Sequence, residues 1–418
     1  SFGGSAFAQL ISGIAMMTGA YMRMHSLFQP NIFDIFFWSL SILFLVKFVR
    51  TRNTNFFYGF AVALSLGVLG KYSAVFLIAS LVLGLFLSRH RYIFARSFFY
   101  KALLVAILII APNIWWQYQH KWPLVHHMQE LQQTQLRFLS PTDFIKDQLL
   151  YLLPAVFVWI VGLVWLFKQK DWRFLGWTYF FIIILLILGR GRSYYSMGIY
   201  PTLLAAGAVA LERWTIVIKW LRPALFILMI ALTIPFVPTL LAIWRPAKLA
   251  AFYQKYKIEK TGLLKWEDQQ NHSLPQDFAD MLGWKELAEK TERFFNTLPD
   301  SIKTSAMIFC RNYGQAGALK FYGRGKVFTR KVFAANGSFI LWLPDTVHFK
   351  HLILIARKMP DKDDKVFQHF QSMRIVDSVS DVYSRQLGNK IIFYQDVDST
   401  GLIIAATRLK EMKYQFER

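Results

Sequence analysis

The sequence contains a single cysteine, Cys310, among 418 residues. An intrachain disulfide is therefore excluded, and a cysteine-based zinc site is not expected. Few acidic residues occur before Trp244. Only six of the 25 in the chain lie there, namely Asp34, Glu130, Asp143, Asp147, Asp171 and Glu212.

Nucleic-acid recognition motifs, internal repeats and low-complexity segments are also missing from the sequence. The net charge is nevertheless +23, with basic residues in excess in both halves of the chain. Because no recognition module accompanies this charge, we expect no nucleic-acid partner. We interpret the excess as contact with membrane lipids, both anionic headgroups and phosphate-bearing lipids.

Long apolar segments dominate the first 243 residues, and 55% of the whole chain is hydrophobic. A helix needs about 20 mostly apolar residues to cross a bilayer. Amphipathic segments that would bury such helices in a soluble protein are missing before Trp244. We predict a polytopic α-helical membrane domain over residues 1–243 and a soluble α/β domain over residues 244–418. The nine predicted spans are 3–20, 33–49, 55–69, 72–88, 97–117, 147–167, 174–188, 194–211 and 221–243.

Basic residues are unequally distributed between the two ends of these spans. Because basic loops are retained in the cytoplasm, the more basic side is predicted to be cytoplasmic. With nine spans, the tail is then extracytoplasmic. The more basic side carries 13 Lys and Arg (47, 50, 52, 89, 91, 96, 101, 168, 170, 173, 213, 219 and 222), and the other carries seven (23, 71, 121, 137, 146, 190 and 192).

Helix and strand patterns alternate in the tail, which predicts the small α/β domain. Helices are expected at 246–257, 283–298 and 314–321, and strands at 305–310, 339–343, 352–356 and 390–394. The glycine-bearing turn at 312–318 follows a strand and opens a helix, a place where a phosphate can bind. Since the full dinucleotide fingerprint is absent, we interpret it as a packing turn.

Several polar residues are predicted to lie at the outer face. Asp34 enters a span, where a carboxylate is costly, and is either functional or an acid favoured by a helix N-terminus. Lys71, between two spans, either extends to the interface or binds a phosphate. Arg192 with Tyr194 and Tyr195 offers a guanidinium fork and two hydroxyls to a lipid phosphate or pyrophosphate; an interfacial aromatic belt is the alternative.

The segment 113–127 is rich in aromatic and histidine side chains. Aromatic faces stack on sugar rings, and Asn and His exchange hydrogen bonds with hydroxyls; an interfacial aromatic girdle is the alternative. Because few acids and no cysteine accompany the histidines, no metal ligand is predicted, and a divalent metal is left open as a cofactor. The residues predicted to bind the sugar or the acceptor are Asn113, Trp115, His120, Trp122 and His126.

In order and spacing, these stretches resemble the polyprenyl-phosphate-dependent glycosyltransferases of the protein-mannosyltransferase and aminoarabinose-transferase type. These are bacterial members of glycosyltransferase family 39 and its relatives, with the GT-C membrane fold. The resemblance extends over almost the whole chain. The matching segments are Gln29-Pro-Asn-Ile-Phe-Asp34 with Phe37-Trp38, Gly67-Val-Leu-Gly-Lys71-Tyr72, Pro112-Asn-Ile-Trp115 with Trp122-Pro123, Arg192-Ser-Tyr-Tyr195 with Tyr200-Pro201, and, in the tail, 275–284 and 312–318.

The resemblance implies sugar transfer, with inversion, from a polyprenyl-phosphate donor to a lipid, glycan or protein acceptor at the extracytoplasmic face of the bacterial inner membrane. It implies a catalytic base in a loop upstream of Ser1, so that the chain is expected to be truncated at its N-terminus. Asp34 matches the second acidic position of the family, which positions groups rather than taking the acceptor proton. Lys71, Arg192, Tyr194 and Tyr195 then bind the donor phosphate.

Three other functions compete with this interpretation. A secondary transporter or lipid flippase would need charges near the bilayer midplane and broken helices. A non-catalytic membrane assembly protein would only display the tail. An oligosaccharide ligase or polymerase would use diphosphate donors.

Overall fold

The computed structural model describes residues 2–134, 136, 140–344 and 346–414. Arg137 and the side chain of Glu130, both counted above, lie outside the described part. The chain divides into two compact units. The first comprises Ser1–Tyr118 and Leu124–Ile243, and the second comprises Gln119–Pro123 and Trp244–Arg418.

The first unit is built from helices. Several begin where the sequence supplies a cap or a proline: Asn53 accepts a hydrogen bond from Asn55 N, and Pro30 occupies the first turn of its helix. The helices are α1 Ala6–Met16, α2 Ala20–Ser26, α3 Pro30–Thr51, α4 Thr54–Gly70, α5 Ala74–Phe86, α6 Ser97–Gln119, α7 Pro123–Thr134, α8 Pro141–Leu150, α9 Val156–Lys168, α10 Arg173–Leu188, α11 Tyr200–Trp214, α12 Leu221–Thr233 and α13 Val237–Leu240.

Within the described residues, three helices are long and apolar enough to cross a membrane: α3, α6 and the continuous stretch Leu221–Leu240. Two bent pairs, Ala74–Phe86 with Arg89–Ala95 and Pro141–Leu150 with Leu153–Lys168, bring the number to five if each pair is one span. Helices α1, α4 and α10 are apolar but shorter. These helices fit a multi-pass membrane protein, whereas the number of nine spans stays a prediction.

Two of the predicted spans, 147–167 and 194–211, contain a 3-10 turn near the candidate polar residues. Within 147–167, α8 and α9 are joined through a 3-10 turn at Leu153–Ala155, and the axis bends by 64°. Within 194–211, a 3-10 turn at Ser193–Ile199 precedes α11. Ser196 Oγ lies 2.8 Å from the Ser193 carbonyl oxygen, and such local side-chain contacts compete with regular helix. Both breaks lie beside the candidate polar residues.

Helices α9 and α11 approach each other so closely that only glycine fits at two positions. A Cβ atom on Gly162 would overlap the carbonyl oxygen of Leu203, and a Cβ on Gly207 would overlap that of Val158. Small residues at such crossings bring two backbones together and increase van der Waals contact, which is a main attraction between helices in a bilayer. The two glycines therefore determine how the bundle packs.

The second unit contains, among the described residues, a five-stranded sheet of order β2-β1-β3-β5-β4. β1 pairs in parallel with β2 and β3, whereas β5 pairs antiparallel with β3 and β4. Helices and strands alternate along the chain. The elements are α14 Pro246–Lys255, α15 Gln276–Ala279, α16 Trp284–Thr297, α17 Asp300–Ser305, β1 Ala306–Cys310, α18 Tyr313–Tyr322, β2 Val332–Ala334, β3 His351–Ala356, α19 Lys365–Gln368, β4 Phe370–Ser378, β5 Lys390–Val397 and α20 Ser399–Tyr414.

The predicted fold class, a polytopic helical membrane protein with a C-terminal α/β domain, is confirmed. The strand predicted at 339–343 is wrong, because the structure has a 3-10 turn at Gly337–Trp342 that buries Ile340. A short continuous apolar run does not by itself distinguish strand from helix. The segment 118–146, which lies between two predicted spans, contains α7 and the first part of α8 in its described part.

Candidate functional site

Asp34 is a buried carboxylate in the second turn of α3. Its residue is only 4% exposed. Ser73 Oγ donates to Asp34 Oδ2 at 2.8 Å, and Lys71 Nζ lies 3.9 Å from the same oxygen. The other oxygen, Oδ1, is buried and has no hydrogen-bond partner among the described residues. A buried carboxylate needs compensation, and here the compensation comes from the connection between α4 and α5.

Lys71 is the central cation of the site. It follows the last residue of α4 in an extended conformation, and its side chain is 18% exposed. Its Nζ donates to Asn31 Oδ1 at 2.6 Å, and it lies 5.0 Å from the ring centre of Tyr194 and 4.3 Å from that of Tyr195. Two aromatic faces and a carboxylate thus hold one ammonium group in place.

Arg192 is the second cation of the site. It precedes the 3-10 turn that carries the two tyrosines, and it is close enough for its positive charge to repel that of Lys71. The rings of Tyr194 and Tyr195 are 4.9 Å apart and nearly perpendicular, at 87°. Three segments predicted separately from the sequence, around residues 34, 71 and 192, therefore form one cluster.

The turn Ser193–Ile199 is fastened by polar side chains of α8, which sequence reasoning missed. Ser193 Oγ donates to Asp147 Oδ2 at 2.6 Å, and Ser196 Oγ donates to Gln148 Oε1 at 2.6 Å. Tyr151 also bonds to Ser193 Oγ, at 2.5 Å. Asp147 could have been found as Asp34 was, because it too is an acid at the start of an apolar segment.

Asn113 also belongs to this region, through Tyr72. Tyr72 OH donates to Asn113 Oδ1 at 2.7 Å and accepts from Gln117 Nε2 at 2.9 Å. Asn113 and Gln117 are four residues apart and so lie on one face of α6. That spacing was the available signal for Gln117, which sequence reasoning did not single out.

The other predicted sugar-binding residues lie on α6, on α7 and between these two helices. Trp115 is an exposed residue of α6 whose ring packs 5.9 Å from that of Tyr118. His126 is exposed on α7. His120 and Trp122 lie between α6 and α7, in the stretch Gln119–Pro123 that is part of the second unit. Their roles stay predictions.

The described residues contain no group of three or more His, Cys, Asp or Glu side chains that could hold a metal ion. The chemistry of the cluster is instead that of anion recognition. Two cations repel each other in a low-dielectric region, and a bound anion relieves that repulsion. A phosphate group with an apolar chain is the kind of ligand that such a site at the end of membrane helices can hold.

Apolar helices around such a cluster, followed by an α/β domain, define a polytopic membrane protein with a candidate site for a lipid-borne anion. The comparisons with known proteins are more specific. Residues 2–116 match the family model described as dolichyl-phosphate-mannose-protein mannosyltransferase. No curated protein sequence matches the chain significantly.

A solved structure resembles the chain over most of its length. It is the crystal structure of ArnT from Cupriavidus metallidurans bound to undecaprenyl phosphate, with a TM-score of 0.56 and 13% sequence identity. The match covers 93% of this chain and 79% of that one. The resemblance to GT-C membrane glycosyltransferases that the sequence indicates is thus confirmed, by the family model in the first part of the chain and by the fold in nearly all of it.

Proposed function

We propose that the protein is an integral membrane glycosyltransferase that transfers a sugar from a polyprenyl-phosphate donor to a lipid, glycan or protein acceptor. We place the reaction at the extracytoplasmic face, with inversion at the anomeric carbon. The family model and the fold support the class. The observation that carries the proposal for the site is the position of Lys71 between Asp34 and the two tyrosine rings, next to Arg192.

The charge balance of the reaction explains why cations are needed. The acceptor O–H or N–H gives its proton to a general base as its oxygen or nitrogen attacks the anomeric carbon, and the bond from that carbon to the phosphate oxygen breaks. The phosphate leaves with the bonding electrons, so that a lipid phosphodiester of charge −1 becomes a monoester with a charge near −2. Lys71 and Arg192 stabilise the added negative charge in the transition state, and no general acid is required.

The environment of Asp34 favours a positioning role over that of a base. Its Oδ2 is already engaged by Ser73 and lies beside Lys71, so that the carboxylate holds the ammonium group toward the tyrosines. Asn113 and Tyr72, bonded to each other, would orient the sugar or the acceptor. Trp115, His120, Trp122 and His126 are kept as proposed sugar or acceptor contacts.

We predict that Asp34→Asn lowers the rate of sugar transfer from a radiolabelled polyprenyl-phosphate sugar by at least about tenfold, because a misplaced Lys71 loses roughly 1.5 kcal/mol of transition-state stabilisation. The substitution keeps the size of the side chain and removes its charge. Asp143→Asn is the matched control, since Asp143 is an exposed acid of α8 that pairs with Lys146. Asp34→Asn activity within about twofold of wild type would show that Asp34 is only a helix-end acid. Wild-type protein that translocates the lipid without transferring sugar would contradict the enzymatic function itself.

We further predict that the second unit is extracytoplasmic, in the inner membrane of a bacterium. The basis is the distribution of basic residues: 13 lie on one side of the predicted spans, which is therefore predicted to be cytoplasmic, and seven lie on the other. Nine spans place the second unit on the side with seven. A fluorescent reporter that matures only in the cytoplasm, fused after Arg418, should stay dark, whereas a periplasmic phosphatase fused there should be active. The reverse pair of results would contradict the topology and, with it, the face assigned to the site.

A further inference from the structure

The second unit contains an apolar cavity of about 220 Å³ between its sheet and α20. Side chains of β1, β3, α19 and α20 line it, and most of them belong to one hydrophobic cluster of this unit. The core of a domain is close-packed and leaves few voids larger than a water molecule. The cavity is therefore too large for an ordinary packing defect. Its apolar lining includes Met307, Leu352, Leu354, Val366, Ala405 and Leu409.

Arg311 provides this cavity with a cation. Side chains along a strand alternate between the two faces of a sheet, and Met307 and Phe309 of β1 both line the cavity. Arg311 is the next residue in that alternation. Its N–H donates to the Ile355 carbonyl oxygen at 3.1 Å, so that the pairing with β3 continues to this residue. Its guanidinium carbon lies 6.0 Å from the ring centre of Phe367, which also lines the cavity.

The charges near Arg311 leave one positive charge without a partner. Asp364 is engaged, because its Oδ2 accepts from Arg408 Nη1 at 2.9 Å and its Oδ1 accepts from Val366 N at 3.2 Å. Arg311 and Asp364 lie in the same neighbourhood, since the charges of both act on Tyr394. Arg311 itself forms no ion pair with any residue that the structure describes. Two arginines and one aspartate thus sum to a charge of about +1 at this side of the cavity.

From these observations, we propose that the cavity binds a single-chain carboxylate, with the chain among the apolar side chains and the carboxylate on Arg311. An apolar cavity of about 150 Å³ holds one benzene molecule, so that this one has room for a chain of about eight carbons. A carboxylate of charge −1 matches the remaining charge and the planar guanidinium fork, whereas a phosphate monoester of about −1.5 to −2 exceeds it. Because every residue belongs to the second unit, this site does not rest on the proposed transferase function.

The test uses the whole protein in lipid nanodiscs, because detergent molecules are amphiphiles that compete for an apolar cavity. Binding of octanoate, labelled with ¹³C at its carboxyl carbon, is followed by NMR, and empty nanodiscs serve as the reference for partition into the bilayer. We expect saturable binding of octanoate by the wild-type protein. Hexanoate should bind about tenfold more weakly, since each buried methylene contributes to affinity. Acetate should not compete.

Two variants separate the role of the charge from that of the apolar space. Arg311→Gln should weaken octanoate binding by about tenfold or more, because it removes a charge-assisted contact, and should leave competition by octan-1-ol within about twofold. Ala405→Phe places a ring in the cavity and should abolish saturable binding of both ligands without lowering the melting temperature. Arg324→Gln is the matched control, an exposed arginine outside the cavity that should bind octanoate within about twofold of wild type.

Several outcomes would overturn the proposal. These are no saturable octanoate binding, octan-1-ol that binds as tightly as octanoate, or an effect of Arg311→Gln no larger than that of Arg324→Gln. Octanoate binding that is lost in Lys71→Ala and kept in Arg311→Gln would place the ligand at the membrane site and would also contradict it. Because Arg311 is exposed, its replacement leaves the fold intact and decides the test even if Ala405→Phe is unstable.

Discussion

Lys71→Ala and Arg192→Ala should each lower kcat/KM for a polyprenyl-phosphate sugar by about tenfold or more, because loss of one charge-assisted contact to the phosphate costs roughly 1.5–3 kcal/mol. Lys71→Ala is expected to have the larger effect. Its ammonium group is fixed by Asn31, Asp34 and two rings, so that it is already in place for the phosphate. The measurement is steady-state transfer at several donor concentrations with purified protein.

The matched control for these variants is Lys146→Ala. Lys146 is a basic residue of α8 whose side chain is 66% exposed and pairs with Asp143. Its replacement should leave kcat/KM unchanged, since an exposed ion pair contributes little. If Lys146→Ala impaired transfer as strongly as Lys71→Ala, a general loss of attraction to the membrane would explain both.

The double variant tests whether the two cations share one ligand. If Lys71 and Arg192 hold the same phosphate, the double substitution should be less damaging than the product of the single effects. Independent effects that simply multiply would show that the two residues serve different groups. Arg192→Lys is the finer probe, because retained activity would favour a point charge over a bidentate fork.

Gly162→Ala and Gly207→Ala should each destabilise the first unit by at least about 2 kcal/mol, near the middle of the range for overpacking a tight contact. Each added Cβ would overlap a backbone carbonyl oxygen on the facing helix, and a backbone cannot move aside as a flexible side chain can. Helices α9 and α11 would have to separate along their length. The effect is measured by heating the protein in detergent and recording the fraction that remains monodisperse at each temperature.

Gly13→Ala provides the control for this packing prediction. Gly13 lies within α1, and a Cβ there would meet no atom of the described structure within 4 Å. Because alanine has a higher helix propensity than glycine, Gly13→Ala should be neutral or stabilising. Gly207→Ala protein as heat-resistant as wild type would mean that α9 and α11 do not pack as described.

The sequence was sufficient for the architecture where the deciding signal is local. Apolar runs identify membrane helices, and the alternating patterns of the tail indicate strands such as β1, β3 and β5. It failed for the segment 339–343, where an apolar run without periodicity fits a 3-10 turn as well as a strand. It also missed β4, none of whose nine residues is buried.

For the candidate site, the sequence alone identified Asp34, Lys71, Arg192, Tyr194 and Tyr195 as unusual polar residues near the ends of apolar segments, because burying charge is costly wherever it occurs. Only the tertiary structure decided that these residues meet, and that Ser73, Asn31 and Asp147 support them. Those contacts join residues up to about 120 positions apart, and they depend on how the helices pack. The close crossing at Gly162 and Gly207 is one determinant of that packing, and no local pattern in the sequence encodes it.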